Sequence, residues 1–140
     1  MPVILWDASA LVKRYVPESG SPSVDAIFTE IPMSQMVLTF TGYAETFAIL
    51  LRRLNQGIIR QASFTMAMSA LESDFLFNSQ SILLSVDDSA ILSSLPLIRK
   101  HNLNSTDALI LTLFQRFHGT AGSSAVLVSA DKRLLRAAAA

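Results

Sequence analysis

No cysteine occurs among the 140 residues, which excludes disulfide frameworks, thiolate zinc sites and cysteine nucleophiles and makes an intracellular, cytoplasmic setting the simplest reading. Charge is scarce as well. Only 16% of residues are charged, and 11 Lys and Arg balance 11 Asp and Glu, so the chain as a whole projects no basic field toward duplex DNA. Any nucleic-acid binding has to be local. The two histidines, His101 and His118, lie apart in sequence, and each reads as a helix C-terminal residue, which argues against a zinc site. A serine hydrolase fits poorly, because there is no G-x-S-x-G elbow and neither histidine sits at a strand end. No apolar run approaches the roughly 18 to 20 uncharged residues that cross a bilayer. The apolar start MPVILW is interrupted at once by Asp7, with no cationic leader before it, and is expected to belong to the fold and not to a signal peptide.

What is present is apolar. Hydrophobic residues make up 51%, enough for the core of one domain spanning 1–140, and the mean hydropathy of +0.42 suggests apolar surface that faces a partner. Pro2 to Trp6 has the continuous apolar pattern of a strand buried on both faces, and Ser9 to Val16 follows with helical spacing up to Pro17. Ser21 and Pro22 read as the cap and first turn of a helix reaching about Glu30, and Gln35 to Phe40 as a second strand. Thr41 to Asn55 carries Tyr43, Phe47, Leu50, Leu51 and Leu54 at helical intervals, with Gly57 as its stop. Ser63 to Phe77 is expected to be a helix and Ile82 to Val86 a strand, with Asp87 and Asp88 capping a helix to His101 that Pro96 should kink or break. Ser105, Thr106 and Asp107 are candidate caps for the helix Ala108 to Phe117, Ala125 to Val128 is a strand, and Asp131 opens a last helix. Strands alternating with helices of this length predict an α/β three-layer sandwich, a mostly parallel sheet with helices on both faces.

Against so few charges, four acids stand out inside apolar segments: WDASALV, YAETFAIL, TDALILTLF and VSADKRLL. Asp7 and Asp131 follow predicted parallel strands and Asp107 stands at a helix start, where open α/β sheets form ligand crevices. Each of these three also reads as an ordinary helix cap. Glu45 lies within a helix among apolar neighbours and cannot cap it, so its ordinary reading is a solvated face. Spacing alone leaves open whether the four converge. Four adjacent carboxylates would repel one another and call for a cation, and an all-oxygen set favours Mg²⁺ or Mn²⁺.

The segments VILWDASALVKRY, YAETFAIL, STDALILTL and VLVSADKRLL resemble the four acidic motifs of PIN domains, in order and at usual separations over nearly the whole chain. The first and last are the specific ones. Within that family the chain is similar to the VapC-type toxins of toxin-antitoxin pairs. The resemblance implies a parallel sheet of four to five strands, a Mg²⁺ or Mn²⁺ site made by Asp7, Glu45, Asp107 and Asp131, and metal-dependent endoribonuclease activity. It further implies a homodimer and an antitoxin whose C-terminal tail lies over the active-site groove. One departure concerns the end of the chain: such domains commonly continue into a final short strand, whereas Ala137 to Ala140 are alanines, which leaves the C-terminal edge open.

For phosphodiester hydrolysis, Asp7 and Asp107 are the expected direct ligands. Glu45 and Asp131 would bind the cation directly, through water or at a second cation, or orient the attacking water as general base. The hydroxyls of Ser9, Thr106 and Ser129 lie within two residues of three of these acids and would fix carboxylate rotamers, or else act as local caps. Arg52, seven residues beyond Glu45, shares its helix face and is the leading RNA-phosphate candidate; Lys13, Arg14, Lys132 and Arg133 would complete a basic rim. Single-stranded or looped RNA is the expected substrate, because no groove-reading motif is present. Trp6 is expected in the core. The main alternative is a noncatalytic PIN-fold binding module; a receiver-like switch using Asp87, Asp88 and Lys132 fits poorly, since a lone Asp7 ends the first strand.

Overall fold

The computed structural model describes residues 2–120 and 124–140. Its strands are β1 (Val3–Trp6), β2 (Met36–Thr39), β3 (Ile82–Leu84) and β4 (Ala125–Val128), and its helices α1 (Ala8–Tyr15), α2 (Ser21–Glu30), α3 (Phe40–Asn55), α4 (Gln61–Leu71), α5 (Asp88–His101), α6 (Ser105–Gly119) and α7 (Lys132–Ala139). The four strands are all parallel, in the order β3-β2-β1-β4. Because side chains alternate across a strand, Ile4, Trp6, Met36 and Leu38 point to one face, where residues of α1, α2 and α4 cover them. Leu5, Val37 and Leu127 point to the other, beneath α5, α6 and α7. α3 closes on the first face, its Leu50 packing with Val12, Val16 and Ala67.

This distribution has a consequence for function. The crossovers from β1 to β2 and from β2 to β3 run over one face, while the crossover from β3 to β4 runs over the other and returns to the far side of β1. Chain direction therefore diverges between β1 and β4, and the crevice beyond their carboxyl ends is where such sheets bind ligands.

Several local features differ from the sequence reading. Gly20, in the left-handed region at φ 96°, is the N-cap of α2 in place of Ser21, whose hydroxyl instead accepts from the Glu18 N–H and donates to the Lys13 carbonyl. The helix expected from Ser63 to Phe77 runs as α4 and then widens into a π-turn over Glu72–Leu76 that buries Phe75. Pro96 neither breaks nor ends α5; it is tolerated within the continuous helix, which stops at Asn102 in the left-handed conformation. The expected apolar surface exists: Phe77 and Met66 are about three-quarters exposed, and Leu92, Ile58 and Leu95 more than half. No helix among the described residues is long and apolar enough to cross a membrane.

Candidate active site

The four acids line one cleft of about 250 Å³, together with Ser9, Ile49, Arg52 and Asn104. Each arrives there differently. Asp7 takes the N-cap position of α1 by backbone conformation, yet its side chain makes no capping bond. Its Oδ2 instead accepts from the hydroxyls of Ser9 and, at 2.8 Å, Ser129. The Asp7 N–H donates to the Val128 carbonyl at 2.9 Å, and the Ser9 and Ser129 hydroxyls also accept from the N–H groups of Ala130 and Asp131. The ends of β1 and β4 are thus sewn together around a carboxylate that is 3% exposed.

Asp107 is likewise not a cap. Asn104 caps α6 by accepting from the Asp107 N–H at 2.8 Å, so the Asp107 carboxylate, in the first turn, is released toward the cleft. Asp131 does cap its helix, Oδ1 accepting from the N–H groups of Arg133 and Leu134, and its carboxyl also hydrogen-bonds that of Asp107. Glu45 projects from α3 across the cleft. That helix starts where Thr39 caps Gly42 at 2.8 Å. A Cβ on Gly42 would stand 2.9 Å from Thr39 Oγ1 and from Leu38 Cδ1, so glycine permits the close approach of α3 to β2.

The electrostatics of the cleft follow from this crowding. Burial, and then the nearby charges of Asp7 and Asp131, push the Asp107 carboxyl up to about 7. Burial raises Glu45 as well, and Asp7 adds to the shift, while the Thr106 hydroxyl and Arg52 oppose it. Among the described residues no Lys or Arg forms an ion pair with any of the four acids. The donor set is thus all oxygen and acidic, offset only by Arg52 acting on Glu45, which fits a hard divalent cation. No three Asp, Glu or His side chains among the described residues stand as a ready-made ligand cluster. A cation would draw the carboxylates inward or reach some of them through water, as Mg²⁺ commonly does.

The remaining predicted residues divide. Ser9 and Ser129 bond Asp7, and Thr106 acts on Glu45 while lining a neighbouring cleft. Arg52 lines the acidic cleft, and Lys13 the cleft beside it. Arg14 does not join them: one residue further round α1, it bonds Asp25 at 2.8 Å and lies 4.6 Å over the Phe28 ring. Arg133 reaches the Asn102 carbonyl. Trp6 is fully buried against Phe28. His101 ends α5, and His118 stacks on Phe114 in the last turn of α6; neither lines the acidic cleft. Asp87 caps α5 and lines a separate cleft, apart from Asp7, which removes the receiver-like arrangement. Sequence reasoning missed Asn104. Its signal was its position three residues before Asp107, the spacing of an N-cap to the backbone N–H it accepts from.

The order of strands and the two-faced helical cover are those of a PIN-like α/β three-layer sandwich. Solved structures agree. Along 96% of its length the chain superposes on 94% of VapC20 of Mycobacterium tuberculosis, a sarcin-ricin loop cleaving toxin, with a TM-score of 0.72 and 12% identity. It also superposes, over 97% of its length, on 79% of PAE2754 of Pyrobaculum aerophilum, with a TM-score of 0.66 and 18% identity. At such identities the likeness establishes the fold. No protein-family model and no curated protein matches the sequence.

Proposed function

We propose that the chain is a Mg²⁺- or Mn²⁺-dependent endoribonuclease acting as the toxin of a toxin-antitoxin pair. The observation that carries this reading is the meeting of Asp7, Glu45, Asp107 and Asp131 at one cleft, with no ion pair to Lys or Arg among the described residues, in a fold shared with a sarcin-ricin loop cleaving toxin. A bound divalent cation would supply Lewis-acid activation of water and screening of the phosphate charge. Asp7, held from behind by Ser9 and Ser129, and Asp107, freed by Asn104, are the principal ligands. Asp131 offers the Oδ2 that its capping role leaves over. Glu45, with its carboxyl raised by burial, is suited to accept the proton of the attacking water at a carboxylate oxygen. Arg52, further along the same wall of the cleft, is placed to meet substrate phosphate.

The partners in this reading are single-stranded or looped RNA, an antitoxin whose tail covers the cleft, and a second copy of the chain. The exposed apolar side chains of α3, α4 and α5 give such protein partners surface to cover. The test is incubation of total RNA with the wild type and with Asp107→Asn, in Mg²⁺ and in EDTA, followed by mapping of the ends. Cleavage by the wild type in Mg²⁺ alone is expected. Equal cleavage by both proteins, or cleavage that survives EDTA, overturns the mechanism, and intact RNA throughout points to a noncatalytic module.

A further inference from the structure

The acidic cleft does not end at Arg52. A second cleft of about 350 Å³ continues from it, sharing Ser9, Ile49 and Arg52 and adding Lys13, Glu18 and Arg53. We propose that this continuation is a phosphate subsite for the substrate strand, in which Arg52 and Arg53 bind a backbone phosphate flanking the scissile one and Glu18 holds the cations in position. The proposal rests on the nuclease reading above and deepens it.

The cations here are built in. Lys13 runs its stem beneath Gly20, where a Cβ would come within 3.1 Å of Lys13 Cδ, and its Nζ donates to Glu18 Oε1 at 3.1 Å and to the Ser19 carbonyl at 2.7 Å. The other Glu18 oxygen accepts from Arg53 Nη1. The short loop that carries Glu18 is pinned by Ser21, which accepts from the Glu18 N–H and donates to the Lys13 carbonyl. One carboxylate thus holds two cations side by side, with side chains only 18% to 24% exposed. Arg53 uses one of its five donors in this contact, and among the described residues no other bond of its guanidinium competes with a phosphate. Arg52 brings a third cation on the wall common to both clefts.

The placement answers a problem set by the acids themselves. Four carboxylates repel a polyanion, and one cation bound among them offsets only part of that charge. Seven residues at 1.5 Å each set Arg52 about 10 Å along α3 from Glu45, beyond the reacting phosphate yet on the same face. A flanking phosphate held there would anchor the strand while the acids address its neighbour.

The test follows binding of a fluorescein-labelled oligouridylate to the chain carrying Asp107→Asn, which leaves the RNA uncut, by anisotropy across a range of KCl concentrations. Cleavage by the otherwise wild-type chain is measured in parallel. Adding Arg52→Ala or Arg53→Ala should weaken binding several-fold and lower the slope of log K against log salt by about 0.7 each, the value for one single-strand phosphate contact. Arg14→Ala should leave the slope unchanged. Arg52 is exposed, so its removal reports on binding even if Arg53→Ala disturbs the Glu18 loop. Glu18→Gln removes a negative charge, and long-range attraction alone would tighten binding; positioning predicts several-fold weaker binding. Unchanged slopes for both arginine variants, with the oligonucleotide bound and RNA still cut, overturn the subsite and leave the nuclease reading standing. Tighter binding by Glu18→Gln overturns its positioning role. Neither binding nor cleavage by any form overturns both proposals.

Discussion

Neutralising Asp107 should stabilise the cation-free protein while abolishing its function. The Asp107 carboxyl is pushed from its ordinary 3.8 to about 7, chiefly by burial and then by Asp7 and Asp131. The folded protein therefore holds this proton more tightly than the unfolded chain. Stability from this group is fully present below about pH 4 and is lost as pH rises through about 7. With each tenfold change worth about 1.4 kcal/mol, the gap caps the penalty above neutrality near 4 kcal/mol. The carboxylate lines an open cleft, and solvent screening trims this to about 1–2 kcal/mol. Asp107→Asn removes the charge and keeps the shape. In EDTA at pH 8 the variant should unfold about 1–2 kcal/mol later than the wild type, a rise of several degrees in Tm for a domain of this size. At pH 4 the two should melt together. Added Mn²⁺ should reverse the order, raising the wild-type Tm and leaving the variant nearly unmoved, because only the native site binds it. Thermal melts followed by circular dichroism at several pH values read all of this. A variant that is less stable than wild type at pH 8 in EDTA, or a difference that does not change with pH, refutes the assignment of Asp107 to a crowded carboxylate cluster.

Removing the α6 cap with Asn104→Ala should cost about 1 kcal/mol in denaturant unfolding and lower RNA cleavage more than Ser105→Ala, since Asn104 sets the turn that carries Asp107. Gly42→Ala should destabilise by about 1–2 kcal/mol despite the better helix propensity of alanine, because its Cβ would meet Thr39 Oγ1 and Leu38 Cδ1 at 2.9 Å; a more stable variant would contradict the close packing of α3 on β2. Trp6→Ala should cost about 3–5 kcal/mol through the cavity it leaves. Trp6→Phe should cost far less, because the buried indole Nε1 has no hydrogen-bond partner among the described residues to lose. Both are read by urea titration, and equal losses for the two substitutions would count against that account.

The elements most legible in the sequence were those whose pattern depends on burial alone. The unbroken apolar run of β1 reads as a strand covered on both faces and is one; the run of β4 and the 3.6-residue recurrence through α3 gave the element types correctly, while Val126, Phe47 and Leu51 remain exposed. Boundaries decided by side-chain hydrogen bonds were less visible. Ser21 has the right chemistry for a cap, yet its hydroxyl is taken by Lys13 and Glu18, and the left-handed Gly20 ends up at the helix start. The π-turn after α4 answers to the burial of Phe75, a tertiary demand without local signature. At the cleft, sequence left Asp7, Asp107 and Asp131 as equivalent caps, and the structure separates them: only Asp131 caps, while serines hold Asp7 and Asn104 releases Asp107. Arg14 and Lys13 are neighbours in sequence but a third of a turn apart on α1, which sends one to Asp25 and the other to the cleft.

The claim that organises the rest is that Asp7, Glu45, Asp107 and Asp131 act together as one divalent-cation site. Calorimetric titration of Mn²⁺ into the wild type and into single variants, each acid changed to its amide, tests it most directly. The account predicts saturable binding by the wild type, loss of at least tenfold in affinity for Asp7→Asn and Asp107→Asn, and smaller losses for Glu45→Gln and Asp131→Asn. Binding unchanged by any of the four substitutions would contradict it.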